Sequence, residues 1–236
     1  MKKYIATVKS IEHLNGGIAV ISFSSQMPSY QAGQYITIFI DNSSTPEGKA
    51  YSLASYPEEK YLSLAVKRVG EYSSFLYNLK PGDRFKHSQG YGHFNPGTTN
   101  PLVCFAGGVG ISPIWSIIKQ TIASNPTQPI DLAYSTKSAL DASFLADITK
   151  ITSHKQLTFY HHQTNSKTSK IQDRINSMKY IKPNAHYLIC GSIEFVKSMR
   201  SPLVNSGINE KDISTEVFFE WETTKSPISL IQKLLE

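Results

Sequence analysis

The 236-residue chain is long enough for one large domain or two modest ones, and its 40% hydrophobic and 18% charged residues describe a folded globular protein, not a disordered one. Its net charge of +6 is spread evenly, with 10 basic and 7 acidic side chains in residues 1–98 against 14 and 11 in residues 99–236, which argues against the clustered basic face of a nucleic-acid binder and leaves solubility or the docking of an acidic partner. Only two cysteines are present, Cys104 and Cys190, so a disulfide framework, a metal-ligand spacing and a protein-held two-iron cluster, which needs four thiolates, are all excluded.

The opening stretch, MKKYIATVKSIEHL, has two lysines but no continuous apolar run and no small-residue cleavage site, and no run of about 18 apolar residues occurs anywhere. A reducing cytoplasm and no membrane span are expected. Up to about residue 94 the chain reads as short strands, YIATVKSI, GIAVISFS, QYITIFID, KAYSLAS and YLSLAVKRV, rich in Tyr, Ile, Val and Thr and separated by NGG, PSYQAG, NSSTPEG and PEEK. That is the rhythm of an antiparallel barrel or sandwich. One helical piece, SSFLYNLKPGD, interrupts it, closed by Pro81-Gly82.

NPGTTNP, residues 95–101, is punctuation without apolar content and sets a boundary between domains 1–98 and 99–236. After it strands and helices alternate: LVCFA, PIWSIIKQTIA, IDLAYS, DASFLADITKI, QLTFYH, KIQDRINSM, HYLIC, IEFVKSMRSPLVNSG and ISTEVFF. Such alternation indicates a parallel sheet covered by helices on both faces, with ligands at the carboxyl ends of its strands. The predicted fold is an antiparallel β-barrel followed by an α/β parallel-sheet domain. A final stretch, ETTKSPISLIQKLLE, reads as one short amphipathic helix begun by Ser226 and Pro227.

Three stretches carry candidate chemistry. In FAGGVGISPIW, Gly107, Gly108 and Gly110 allow a tight strand-to-helix turn, and Ser112 and Pro113 read as helix cap and first helical residue, a helix start suited to a pyrophosphate or simply a ligand-free turn. In GKAYSLAS, alternation puts Lys49 and Tyr51 on one face of a strand and Ser52 on the other. In YLICGSIEFV, Cys190 ends a buried strand before Gly191, either as a small core residue or as one that a reacting group must approach. His161 and His162 end the stretch LTFYHH; adjacent strand residues point to opposite faces and do not easily share an ion, so a loop-facing pair is expected instead of a metal site.

Taken together, KAYS, VGEYSSFL, GYGHF, GGVGISP, CGS and EVFFEW stand in the order and at the separations of a known family, and the chain resembles the ferredoxin-NADP reductase superfamily from its first strand to about Trp221. The resemblance implies that Tyr51 packs against a flavin ring with Ser52 near its N5, that Lys49 meets the flavin phosphates where the family usually has arginine, and that Ala50, Val66, Lys67, Gly70, Tyr72 and Ser73 complete the flavin site. GYGHF is read as a structural turn. It further implies that Gly107, Gly108, Gly110, Ile111 and Ser112 line the nicotinamide dinucleotide, and that Cys190 and Gly191 sit where the nicotinamide approaches. Glu220 and an aromatic, Phe219 or Trp221, flank the flavin. Ser52, Cys190 and Glu220 are the expected catalytic residues. Ser135, Lys137 and Lys167 are expected at the adenosine end, without separating NADPH from NADH.

The implied function is a flavoprotein reductase that takes hydride from NAD(P)H onto FAD, with FMN the alternative, and passes electrons to an external acceptor: ferredoxin, flavodoxin, an oxygenase component or free flavin. A free-flavin reductase and a non-catalytic electron-transfer subunit are the competing readings, and oligomeric state is not specified.

Overall fold

The computed structural model describes residues 2–152, 155–164 and 180–218. Six strands form the first sheet: β1 (Tyr4–Leu14), β2 (Ile18–Ser25), β3 (Tyr35–Phe39), β4 (Lys49–Ser52), β5 (Leu62–Lys67) and β6 (Arg84–His87), in the order β4-β3-β6-β1-β2-β5 and antiparallel throughout. The two outer strands meet where the Ala54 N–H donates to the Ser63 carbonyl at 2.7 Å. Alternation fills the interior, with Ala6, Val8, Ile21, Phe23, Ile36, Ile38, Leu64, Val66 and Phe85 in one buried cluster. A short helix, α1 (Glu71–Tyr77), adds Tyr72 and Leu76 to it.

β6 is a sixth strand that the sequence reading leaves unassigned. Its signal is brief: Phe85 and His87 are buried while Arg84 and Lys86 face outward. The interior half of that pattern ends on a histidine, which β-strand composition does not flag. His87 is accepted there because its ring nitrogens meet the Ser25 hydroxyl at 2.8 Å and the Ser88 carbonyl at 2.6 Å.

The second sheet is parallel, in the order β11-β10-β7-β8-β9, from β7 (Leu102–Gly107), β8 (Ile130–Thr136), β9 (Leu157–Gln163), β10 (His186–Gly191) and β11 (Ile213–Val217). Helices α2 (Ile111–Ser124) and α3 (Leu145–Ile151) cover one face, where Cys104, Leu132, Tyr134, Leu188 and Cys190 meet Ile114, Trp115, Ile118 and Ile148. Helix α4 (Ile193–Asn205) covers the other, where Phe105, Tyr187 and Ile189 meet Val196, Met199 and Leu203. Being covered twice, β8 is buried along its whole length. No helix among the described residues is long and apolar enough to cross a membrane.

The barrel packs on the α2 face. Ala32 and Phe94 join the α2 core, and Gly33 lies so close that a β-carbon there would stand 2.9 Å from Ile117 Cδ1. The Ser116 hydroxyl of α2 donates to the Ser55 carbonyl and accepts from the Gly33 N–H, and Lys119 of α2 pairs with Glu59. These contacts set the carboxyl ends of the parallel strands against β4.

Candidate functional site

At that seam, the Ser52 hydroxyl at the end of β4 donates to Oε1 of Glu216 on β11 at 2.9 Å. Glu216 stands beside Cys190, its register partner on β10, and the Phe218 N–H donates to the Gly191 carbonyl at 2.8 Å. Two sheets of different architecture thus bring Ser52, Cys190, Gly191, Glu216 and Phe218 to one place. The second carboxylate oxygen of Glu216, Oε2, is buried and has no partner among the described residues. Burial outweighs the hydroxyl donated by Ser52 and raises the Glu216 carboxyl to about 7. A carboxyl group so tuned can hold or release a proton near neutral pH.

Cys190 is wholly buried in the α2 core, and burial, with the Glu216 charge second, pushes its thiol well above the usual range. It is no thiolate. The backbone around it is unusually close: a β-carbon on Gly110 would come 2.4 Å from the Cys190 carbonyl oxygen, so only glycine lets the loop after β7 lie against β10. Gly107 and Gly191 both face the ring of Phe195, which the Ser192 cap of α4 positions by accepting from the Phe195 N–H at 3.2 Å.

α2 begins at Ile111, capped by Gly110, which corrects the expectation that Ser112 caps it and Pro113 follows as first residue. The turn at 108–110 is tight enough to start the helix early, and Pro113 falls within the first turn, where its missing N–H costs no intrahelical bond. Ser112 is buried with its Oγ unpartnered among the described residues. Gly108, at φ +55°, has open space where a β-carbon would stand. A half-buried turn with open space at Gly108, the helix-start N–H groups and an unsatisfied hydroxyl together fit a phosphate.

On the barrel side, the Lys49 ammonium lies 5.7 Å from the centre of the Tyr72 ring. Tyr51 is partly buried beside Tyr72, and burial raises its phenol far above the ordinary value. The Tyr72 hydroxyl donates to the Thr45 carbonyl and meets the Ser43 hydroxyl at 2.8 Å, while the Glu71 carboxylate at the start of α1 accepts from the Ser44 N–H and hydroxyl. Ser73 Oγ accepts from the Val69 and Gly70 N–H groups at 2.9 and 3.0 Å. Ala50 is exposed, Val66 is buried and Lys67 is half-buried at the end of β5.

At the far end of the second sheet, Ser135 is buried and Lys137 exposed where β8 ends. His161 bonds Thr136 Oγ1 at 2.8 Å while buried His162 bonds the Tyr180 hydroxyl at 3.2 Å, opposite faces as alternation requires. They lie within β9, not on a loop. No metal-holding cluster occurs among the described residues. Lys167, the expected helix at 170–178, Phe219, Glu220, Trp221 and the extension at 222–236 lie outside the described residues.

Among the described residues, the acidic residue and the aromatic brought to the seam are Glu216 and Phe218, which the sequence reading does not single out; Glu220, Phe219 and Trp221, which it does, lie outside the described residues. The signal was present. In ISTEVFF, Ser214, Glu216 and Phe218 alternate onto the face shared with Cys190, and an acid on the half-buried face of a strand that turns toward a core calls for a partner.

The sequence model of the oxidoreductase NAD-binding domain family matches residues 104–201, the part of the chain that holds the glycine turn and the Cys190-Gly191 pair. Flavohemoprotein A of Dictyostelium discoideum is 27% identical over 213 residues, 80% of this chain and 53% of that protein. The reductase component 1 of terephthalate 1,2-dioxygenase from Comamonas is 36% identical over 94 residues, 38% of this chain and 27% of that protein. Among solved structures, ferredoxin-NADP+ reductase from Plasmodium falciparum, as the H286L mutant with 2′P-AMP, superposes with a TM-score of 0.75 at 20% identity, covering 92% of this chain and 96% of that one. The chain has the two-domain fold of this reductase. The FAD/NAD-binding domain of nitric oxide dioxygenase from Vibrio cholerae has the same fold, with a TM-score of 0.77 at 21% identity over 91% of this chain and 98% of that domain. The chain spans about half the length of the flavohemoproteins it matches.

Proposed function

We propose that residues 1–98 bind FAD, that residues 99–236 bind NADH or NADPH, and that the chain moves a hydride from the dinucleotide to the flavin and hands electrons to a separate acceptor. The observation that carries this reading is the Ser52–Glu216 hydrogen bond, which joins the two domains beside the Cys190-Gly191 strand end. The flavin supplies the redox chemistry, accepting two electrons together and releasing them singly. The residues fit such a group: Lys49 offers charge to a phosphate, Tyr51 and Tyr72 offer aromatic surface, and the glycine turn with the unpartnered Ser112 hydroxyl suits the dinucleotide's phosphates.

In this reading Tyr51 orients the flavin from the barrel side and Phe218 from the other. Gly191 leaves room for the nicotinamide beside the Cys190 backbone. Ser52 holds a proton at Oγ and exchanges it with Glu216, whose carboxyl is poised to take or give one. Cys190 acts as a compact wall of that site, since a fully buried, protonated thiol has no acid–base part to play.

The likeness to a dioxygenase reductase component supports an oxygenase-type acceptor. The test is dinucleotide-dependent reduction of ferricyanide by chain reconstituted with FAD and then freed of unbound flavin. Turnover by the retained flavin is expected. Turnover only when free flavin is supplied would replace this reading with that of a free-flavin reductase.

A further inference from the structure

The loop 41–48, which joins β3 to β4, is bonded to α1 at three successive residues. The Ser43 hydroxyl meets the Tyr72 hydroxyl at 2.8 Å, the N–H and hydroxyl of Ser44 both donate to the Glu71 carboxylate, and the Thr45 carbonyl accepts from Tyr72. The loop's ends are fixed. Asp41 pairs with Lys86 at 2.7 Å, Asn42 turns at φ +59°, and Gly48, at φ +84°, lies so close to β3 that a β-carbon there would stand 2.5 Å from the Ile38 carbonyl oxygen. Between those ends no side chain is buried: Ser44, Pro46 and Glu47 are exposed, and Ser43 and Thr45 are half-buried. A cavity of about 300 Å³ lies beside the loop, lined by Lys3 and Phe39 of the barrel and by Asp41, Ser43 and Pro46 of the loop itself. The middle of the loop is thus held to α1 by hydrogen bonds alone, with room to move.

We propose that 41–48 is a strap, latched to α1 by Ser44 and Glu71, that must open for the flavin to enter or leave. This rests on the flavin reading above, in which Lys49 and Tyr72 hold the flavin. Lys49 follows Gly48 directly and lies 5.7 Å from the centre of the Tyr72 ring, and Tyr72 is the side chain on which the strap closes, so closing the strap and shaping that part of the site are one event. The Ser44–Glu71 contact is the latch because its acceptor is charged, which makes it the strongest of the three. It is also exposed, and a segment held by exposed polar contacts without buried apolar side chains opens at the low end of a protein's range of local stabilities. A flavin retained from one turnover to the next needs the strap shut, whereas a flavin exchanged at every turnover needs it open.

The test follows FAD uptake by the flavin-free full chain, and FAD release from the loaded chain on dilution, by flavin fluorescence. Glu71→Ala unlatches the strap, and both rates are expected to rise about tenfold or more, with the affinity changed far less than either rate. Release that speeds up while uptake stays at the native rate would make Ser44 and Glu71 ordinary supports of bound flavin and overturn the strap. A second variant pins it: Ser44→Cys with Glu71→Cys, bridged by dibromobimane, a reagent from which Cys104 and Cys190 are shielded by burial. Bridged before loading, the chain is expected to take up no FAD; bridged after loading, it is expected to release none. Exchange at the unbridged rate overturns the proposal. Amide hydrogen exchange reads the strap without flavin. Glu71→Ala should speed exchange across 43–47 about tenfold while β3 and β4 keep their native protection, and unchanged exchange there overturns the latch. A native chain that binds no FAD counts against the proposed function and leaves the amide comparison standing.

Discussion

Glu216 concentrates the energetic tension of the site in one side chain. Its carboxyl titrates at about 7 in the folded chain against 4.5 when exposed, because burial disfavours the charged form more than the Ser52 hydroxyl favours it. Between those values the native state holds a proton that the unfolded state has lost, so this group's contribution to stability is full below about pH 4.5 and is lost as pH rises through about 7. Glu216→Gln cannot ionise; its melting temperature is expected to stay flatter than the native one over that window, and parallel curves for the two proteins would contradict the assignment. Ser52→Ala removes the hydroxyl and leaves the strand intact. Anaerobic flavin reduction should then slow about a hundredfold with flavin binding retained, and an effect under about threefold would remove Ser52 from the chemistry. Ser52 was singled out in the sequence by the family resemblance of its KAYS motif, since alternation alone gives only the face on which it stands. Glu216 was not, since the acid that looked best placed was the one after the strand, and the meeting of Ser52 with Glu216 is a contact between residues 164 apart in the chain.

At the scale of elements, the glycine turn was read correctly as a strand-to-helix turn and misread in its last two residues. The reason is that helix starts are set by backbone geometry as well as by side-chain caps, and here Gly110 caps without a side-chain hydrogen bond because the preceding turn already leads into the helix. The requirement for glycine at this position is a close approach between elements that no local pattern reports. Gly110→Ala drives a methyl to within 2.4 Å of the Cys190 carbonyl oxygen and 2.9 Å of Gly191 Cα, backbone that cannot rotate away. Loss of about 1–3 kcal/mol in denaturant unfolding is expected, with dinucleotide binding weakened in parallel; native stability would show that the loop and β10 can separate freely. The parallel strands were legible as short apolar runs because both their faces are covered, whereas β6, four residues ending on a buried histidine, offered too short an alternation to read.

Across the whole molecule, the seam between the sheets is where the fold becomes a site, and it is the part least visible in sequence. Ser116 ties α2 to the barrel through the Ser55 carbonyl and the Gly33 N–H, and Lys119, lying over the rings of Trp115 and Tyr56, pairs with Glu59. Ser116→Ala removes the hydroxyl without adding bulk and leaves a buried carbonyl and N–H unpaired; a loss of about 1–3 kcal/mol in stability is expected, and no loss would mean that the seam relaxes to satisfy them. The same variant should slow hydride transfer, since the Ser52–Glu216 contact depends on how the two sheets meet. The central claim is that two ligands, one per domain, react across this seam. The most direct measurement is the visible spectrum of the FAD-reconstituted chain before and after anaerobic addition of NADH and of NADPH in parallel. The account predicts that the flavin band bleaches with at least one of them, the faster identifying the preferred dinucleotide, and a bound flavin that neither reduces would contradict it.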